Sequence, residues 1–136
     1  MKPLLISALL LFSLQLTAQT DTAADSLATD DRVYEMFDVQ TPPKFPDGEK
    51  ELLRYLSQNI QYPAKARKKS TAGTVILTFV VNKDGSISDV NTVKDIGNGC
   101  GEEAARVVTA MPNWTPGELH GNVVRVRFTL PIRFTL

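Results

Sequence analysis

Residues 124 to 136 constrain this chain more than any other stretch. Val124, Val126, Phe128, Leu130, Ile132, Phe134 and Leu136 alternate without a fault with Arg125, Arg127, Thr129, Pro131, Arg133 and Thr135. Successive side chains of a strand point to opposite faces, so one face of this segment is buried and the other is wet. Such a strand needs a sheet, and the rest of the sheet lies upstream. Thr74 to Val81 reads TVILTFVV, β-branched and aromatic; Asn82-Lys83-Asp84-Gly85 is turn chemistry; Ser86 to Val93 is a second, more polar strand. Together they make a β-hairpin.

Two helices flank the hairpin. After Pro46-Asp47-Gly48, Leu53, Leu56 and Ile60 recur at spacings of three and four, with Glu49 and Glu51 suited to the positive end of the helix dipole and Asp47 or Gly48 as the cap. Pro63 ends that helix, because it lacks an amide proton and biases Tyr62 to an extended conformation. Ala64 to Lys69 gives one or two basic turns at most. Beyond the Gly97-Asn98-Gly99 loop, Ala104, Val107, Val108 and Met111 mark a second helix stopped by Pro112, with Glu102 and Glu103 in its first turn.

The order helix, strand, strand, helix, strand predicts an α+β fold over residues 42–136: a small three-stranded antiparallel sheet with two helices packed on one face. Pro131 cannot donate to a ladder, so the last strand, or at least its end, is expected at a sheet edge. An open edge is a hazard if left bare and a binding site if a partner strand uses it. Arg125, Arg127 and Arg133 would discourage self-pairing there and favour an acidic extended peptide.

The amino terminus has a different character. Met1-Lys2, the apolar run Leu4 to Leu16 and the small residue Ala18 follow the order of a secretory signal peptide over residues 1–18. The run is short of the roughly 20 apolar residues of a membrane span. Cleavage after Ala18 is the expectation, and retention as a short anchor is the alternative. Residues 19–41 carry six acidic side chains against Arg32 alone, whereas residues 42–136 carry nine acidic against 13 basic. The first segment reads as an acidic flexible leader, with a short strand expected within 33–39.

Several functions are disfavoured by composition. The 15 basic side chains balance the 15 acidic ones, so no whole-chain field favours nucleic acid. One Cys and one His can form neither a disulfide framework nor a protein zinc site, and no metal or cofactor is expected. No nucleophile, base and orienter fall together, and no Gly-rich phosphate loop follows a strand, so no catalytic residue is assigned. Cys100 reads as a buried inert thiol, His120 as a turn residue, Trp114 as a ring closing the core, and Lys65 to Lys69 as a solvated face.

At this point the chain resembles a known family, the carboxy-terminal domain of TonB energy transducers, in the form common among Bacteroidetes. The residues that carry the resemblance run from Pro43 to Leu136. They are Pro43-Lys44-Phe45-Pro46-Asp47-Gly48, Asn59-Ile60-Gln61-Tyr62-Pro63, Ala72-Gly73-Thr74-Val75 with Phe79-Val80-Val81 and Asp84-Gly85, Glu103-Ala104 with Arg106-Val107-Val108, Met111 to Gly117, and Leu130-Pro131-Ile132-Arg133-Phe134. The resemblance implies a periplasmic protein-binding module. It would capture the TonB box, an extended segment of an outer-membrane transporter, by strand addition, and so serve energy-dependent transport. The implied contact residues are Val123, Val124, Arg125, Val126, Arg127, Phe128 and Thr129, with Gln61, Tyr62 and Pro63. Inner-membrane proton-driven motor proteins would be partners only if the amino-terminal segment is retained. The competing expectation is a self-associating scaffold, a homodimer through the same edge.

Overall fold

A computed structural model of the chain describes residues 30–136. The signal-peptide expectation and the leader up to residue 29 lie outside the described residues. The elements in chain order are β1 (Val33–Glu35), α1 (Glu49–Asn59), α2 (Ala64–Lys68), β2 (Gly73–Val81), β3 (Ile87–Lys94), α3 (Cys100–Thr109), β4 (Gly117–Leu119) and β5 (Asn122–Phe134). No helix among the described residues is long and apolar enough to cross a membrane.

The α+β class stands as expected, with five strands where the sequence suggested three. The sheet order is β1-β5-β2-β3, and β4 also pairs with β5. β2 runs antiparallel to both β3 and β5, with Gly73 opposite Phe134 and Val81 opposite Val126. The two further strands are three residues each: β1 lies within the 33–39 stretch where a short strand was expected, whereas β4 is too short to carry a readable period of two. β4 forms a hairpin with β5 through His120 and Gly121, which adopt φ values of 50° and 78°. Two consecutive left-handed residues match the right-handed twist of the flanking strands, and glycine supplies the second at no steric cost.

Both main helices bury their apolar sides on one face of β2 and β5. Leu52 and Leu56 of α1 and Ala104, Val107 and Val108 of α3 meet Val75, Leu77, Phe79, Leu130, Ile132 and Phe134 in one core. The Tyr55 hydroxyl donates to the Val107 carbonyl at 2.9 Å and ties the helices together. The α1 stripe differs from the expected one: Leu52 is 5% exposed and Leu53 is 60% exposed. Two adjacent leucines each lie four or three residues before Leu56, so spacing alone could not decide which faces inward. Ile60 lies just past the helix as an extended cap.

Trp114 closes the core as expected, packed edge-on against Phe45, Phe79 and Phe128 at centroid distances of 5.7, 5.2 and 5.0 Å. Its backbone sits on the β2–β3 turn, where the Trp114 amide donates to the Gly85 carbonyl at 2.8 Å. Gly85 has φ 87°, and a Cβ there would lie 2.1 Å from the Trp114 carbonyl oxygen. No other residue type fits that turn against that backbone.

Candidate functional site

The long strand β5 organises the site. One side of it is paired with β2 from Phe134 back to Val126. The other side is divided into three. Residues Asn122 to Val124 pair with β4, and Arg125 to Arg127 pair in parallel with β1. From Phe128 to Phe134 no further strand lies alongside among the described residues. The end of the last strand is thus at an edge, as Pro131 implied, while its amino half is flanked on both sides. Pro131 stands opposite Ile76, and its missing donor is tolerated because its nitrogen can face the open side.

A furrow runs along that open side, between β5 and α1. Its first part, about 510 Å³, is lined among others by Met36, Phe45, Leu53, Trp114, Phe128 and Pro131. Its second part, about 410 Å³, is lined by Leu53, Ile60, Tyr62, Pro131, Arg133 and Phe134. Leu53 and Pro131 belong to both, so the two parts run on as one apolar trough beside an unpaired backbone. The indole nitrogen of Trp114 is buried there without a hydrogen-bond acceptor among the described residues.

The residues implied by the resemblance fall into three places. Phe128 and Thr129 line the furrow. Tyr62 sits at its far end, edge-on to Phe134 at 5.7 Å, with its hydroxyl donating to the Thr71 carbonyl; Gln61 is exposed beside it and Pro63 caps α2. Val123 faces Glu118 of β4, Val124 and Val126 are fully buried, and Arg125 and Arg127 lie beneath β1. The structure therefore brings Tyr62 toward the Phe134 end of β5 and leaves it far from Val123.

Two of the three arginines of the last strand, Arg125 and Arg127, are engaged. Arg127 Nη1 donates to Glu35 Oε1 at 2.6 Å. Arg125 donates through Nη1 to the Asp31 carbonyl at 2.8 Å and through Nε to Asn82 Oδ1 at 3.0 Å. Sequence reading did not find Leu53, Leu130, Pro131 or Arg133 as furrow residues. The signal available was the redundant leucine pair at 52 and 53, one of which must point outward.

Cys100 is fully buried, and that burial pushes its thiol pKa up, the reverse of an activated nucleophile. His120 is an exposed turn residue whose amide donates to Gln40 Oε1 at 2.9 Å. Among the described residues, no three His, Cys, Asp or Glu side chains gather where a metal could be held.

A mixed sheet of this order, carrying its helices on one face and a half-open long carboxy-terminal strand, defines a class of small α+β edge-strand domains. The chain matches the model of the Gram-negative bacterial TonB protein C-terminal family over residues 58–136, and it belongs to that family. Two solution NMR structures of the Helicobacter pylori TonB C-terminal domain are similar to it. One is 22% identical with a TM-score of 0.50, covering 64% of this chain and 78% of that one. The other is 24% identical with a TM-score of 0.44, covering 63% and 90%. Among curated proteins, none matches this chain. Domains of this family act in the periplasm of Gram-negative bacteria, where they interact with outer-membrane transporters in TonB-dependent transport.

Proposed function

We propose that this chain is a periplasmic capture module for the TonB box of an outer-membrane transporter, which it takes as an added strand. The observation that carries the reading is the open side of β5 from Phe128 to Phe134 lying along an apolar furrow. Backbone groups of the edge provide attachment, and the furrow takes alternate side chains of the added strand. The opposite edge of the sheet, β3, suits this less well. Its pairing with β2 shifts register twice, and Asp89 within it has φ 52°. Bulges twist an edge away from a flat partner. The role is one of contact rather than catalysis, and removal of residues 1–18 on export would release the module into the periplasm.

The test is a titration of TonB-box peptides into the full chain, read by fluorescence of its one tryptophan, which lines the furrow. Thr129→Pro removes a donor from the side that Pro131 already faces, because residues two apart share an orientation. Leu53→Asp puts a charge in the furrow at a position already 60% exposed. Both variants should fold with stability within about 1 kcal/mol of the parent and bind peptide at least about tenfold more weakly. Unchanged binding in both would overturn capture at this edge.

A further inference from the structure

The lane beside Arg125 to Arg127 is already filled by the chain itself. β1 runs parallel to β5 there, with Val33 opposite Arg125, Tyr34 opposite Val126 and Glu35 opposite Arg127. We propose that this part of β5 is a receptor for acidic extended strands, that β1 is its resident occupant, and that an incoming partner strand binds by exchanging with β1. The proposal rests on the reading of β5 as the capture strand and adds the chemistry and regulation of its amino half.

Three observations carry it. The first is the smallness of the hold. β1 has three residues, and a pairing that short is marginal unless side chains support it. Its support is a minor cluster, in which Tyr34, Met36, Val39 and Leu119 pack against Val124 and Val126, apart from the main core. The second is the nature of the hold. Glu35 meets Arg127 at 2.6 Å, with side chains 51% and 45% exposed, and the Asp31 carboxylate lies 3.5 Å from the Lys83 ammonium. Water and salt compete for such contacts, so they select for acidic strands without making any one of them permanent. The third is continuity. Met36, just past the end of β1, borders the furrow, so a strand in the furrow running parallel to β5 comes up against β1 unless it stops at Phe128. A partner longer than the open stretch must take the lane of β1. The kind of strand that fits presents carboxylates four residues apart, as Asp31 and Glu35 do, with an apolar or aromatic residue between them over Val126.

The experiment uses a synthetic peptide of residues 30–37 added to the isotopically labelled full chain, to Tyr34→Pro and to Glu35→Arg. The proline removes a donor from β1, and the arginine faces Arg127 with a like charge. The expected result is binding at least tenfold tighter to either variant than to the parent, with NMR shifts centred on Arg125 to Arg127. A peptide carrying Lys in place of Asp31 and Glu35, two of its three acids, should bind at least tenfold more weakly. Equal affinity for parent and variants, or shifts confined to other elements, overturns the proposal. If Tyr34→Pro loses the native Trp114 fluorescence, Glu35→Arg, which alters no backbone conformation, decides alone. The probe contains no transporter sequence, so its failure leaves capture at Phe128 to Phe134 standing. Failure of TonB-box peptides to perturb Trp114 overturns capture and not exchange.

Discussion

Arg127 donates to Glu35 at 2.6 Å across 92 positions of sequence, and this contact joins β1 to the arginine-bearing part of the last strand. The pair is about half exposed on each side. Glu35→Gln should therefore cost less than about 1 kcal/mol of global stability, and the difference from the parent should shrink as salt rises. Urea unfolding at low and high ionic strength checks this. A loss that is large and independent of salt would mean that β1 is integral to the fold.

The acid end of β1 has its own pH signature. Hydrogen bonds to Asp30, from the Tyr34 hydroxyl first and from the Arg32 amide and side chain, hold its carboxyl pKa down at about 2, below the ordinary 3.8. A carboxyl with a lowered folded pKa adds stability above its unfolded value and loses it as pH falls through the folded one. Amide protection of β1 should thus weaken between about pH 4 and pH 2. Asp30→Asn should reduce that step in hydrogen exchange followed by NMR, leaving only the part owed to the Glu35 and Asp31 carboxylates.

Gly85 is the position where the turn chemistry of the hairpin meets the core. Its left-handed φ of 87° and the Trp114 carbonyl 2.1 Å from any added Cβ leave no room for a side chain. Gly85→Ala should cost at least about 2 kcal/mol, combining strain with overpacking. Denaturant unfolding read by Trp114 fluorescence gives the value, and a near-neutral result would contradict the turn geometry.

Cys100 should behave as a probe of unfolding. It is fully buried at the start of α3, and burial followed by the nearby Asp95 charge pushes its pKa up. Alkylation by iodoacetamide in mildly alkaline buffer should proceed only as fast as the protein opens, and should accelerate in denaturant. Rapid labelling of the native chain would refute the inert assignment.

Much of the fold is legible before any coordinates, and particular residues show why. The TVILTFVV run, the Asn82-Lys83-Asp84-Gly85 turn and the Val107, Val108, Met111 stripe are local signals of period and turn chemistry, and each element appears in its expected place. β4 was not legible, because three residues beside a turn carry no period. Leu53 was misplaced because the alternative inward leucine is its neighbour. Of the site, the edge role of Pro131 could be read from its chemistry, whereas the furrow beside it is built from α1 and β5 residues that lie some 80 positions apart.

The sequence by itself determined the types of the main elements, the buried face of β5 and the contrast between the acidic residues ahead of position 42 and the arginines of the last strand. Those properties belong to single residues and their near neighbours. Only the tertiary structure decided that β1 pairs with Arg125 to Arg127 while, among the described residues, no strand lies along the outer side of Phe128 to Phe134. Which backbone groups are paired depends on segments distant in the chain, and no local pattern records where a three-residue strand will dock.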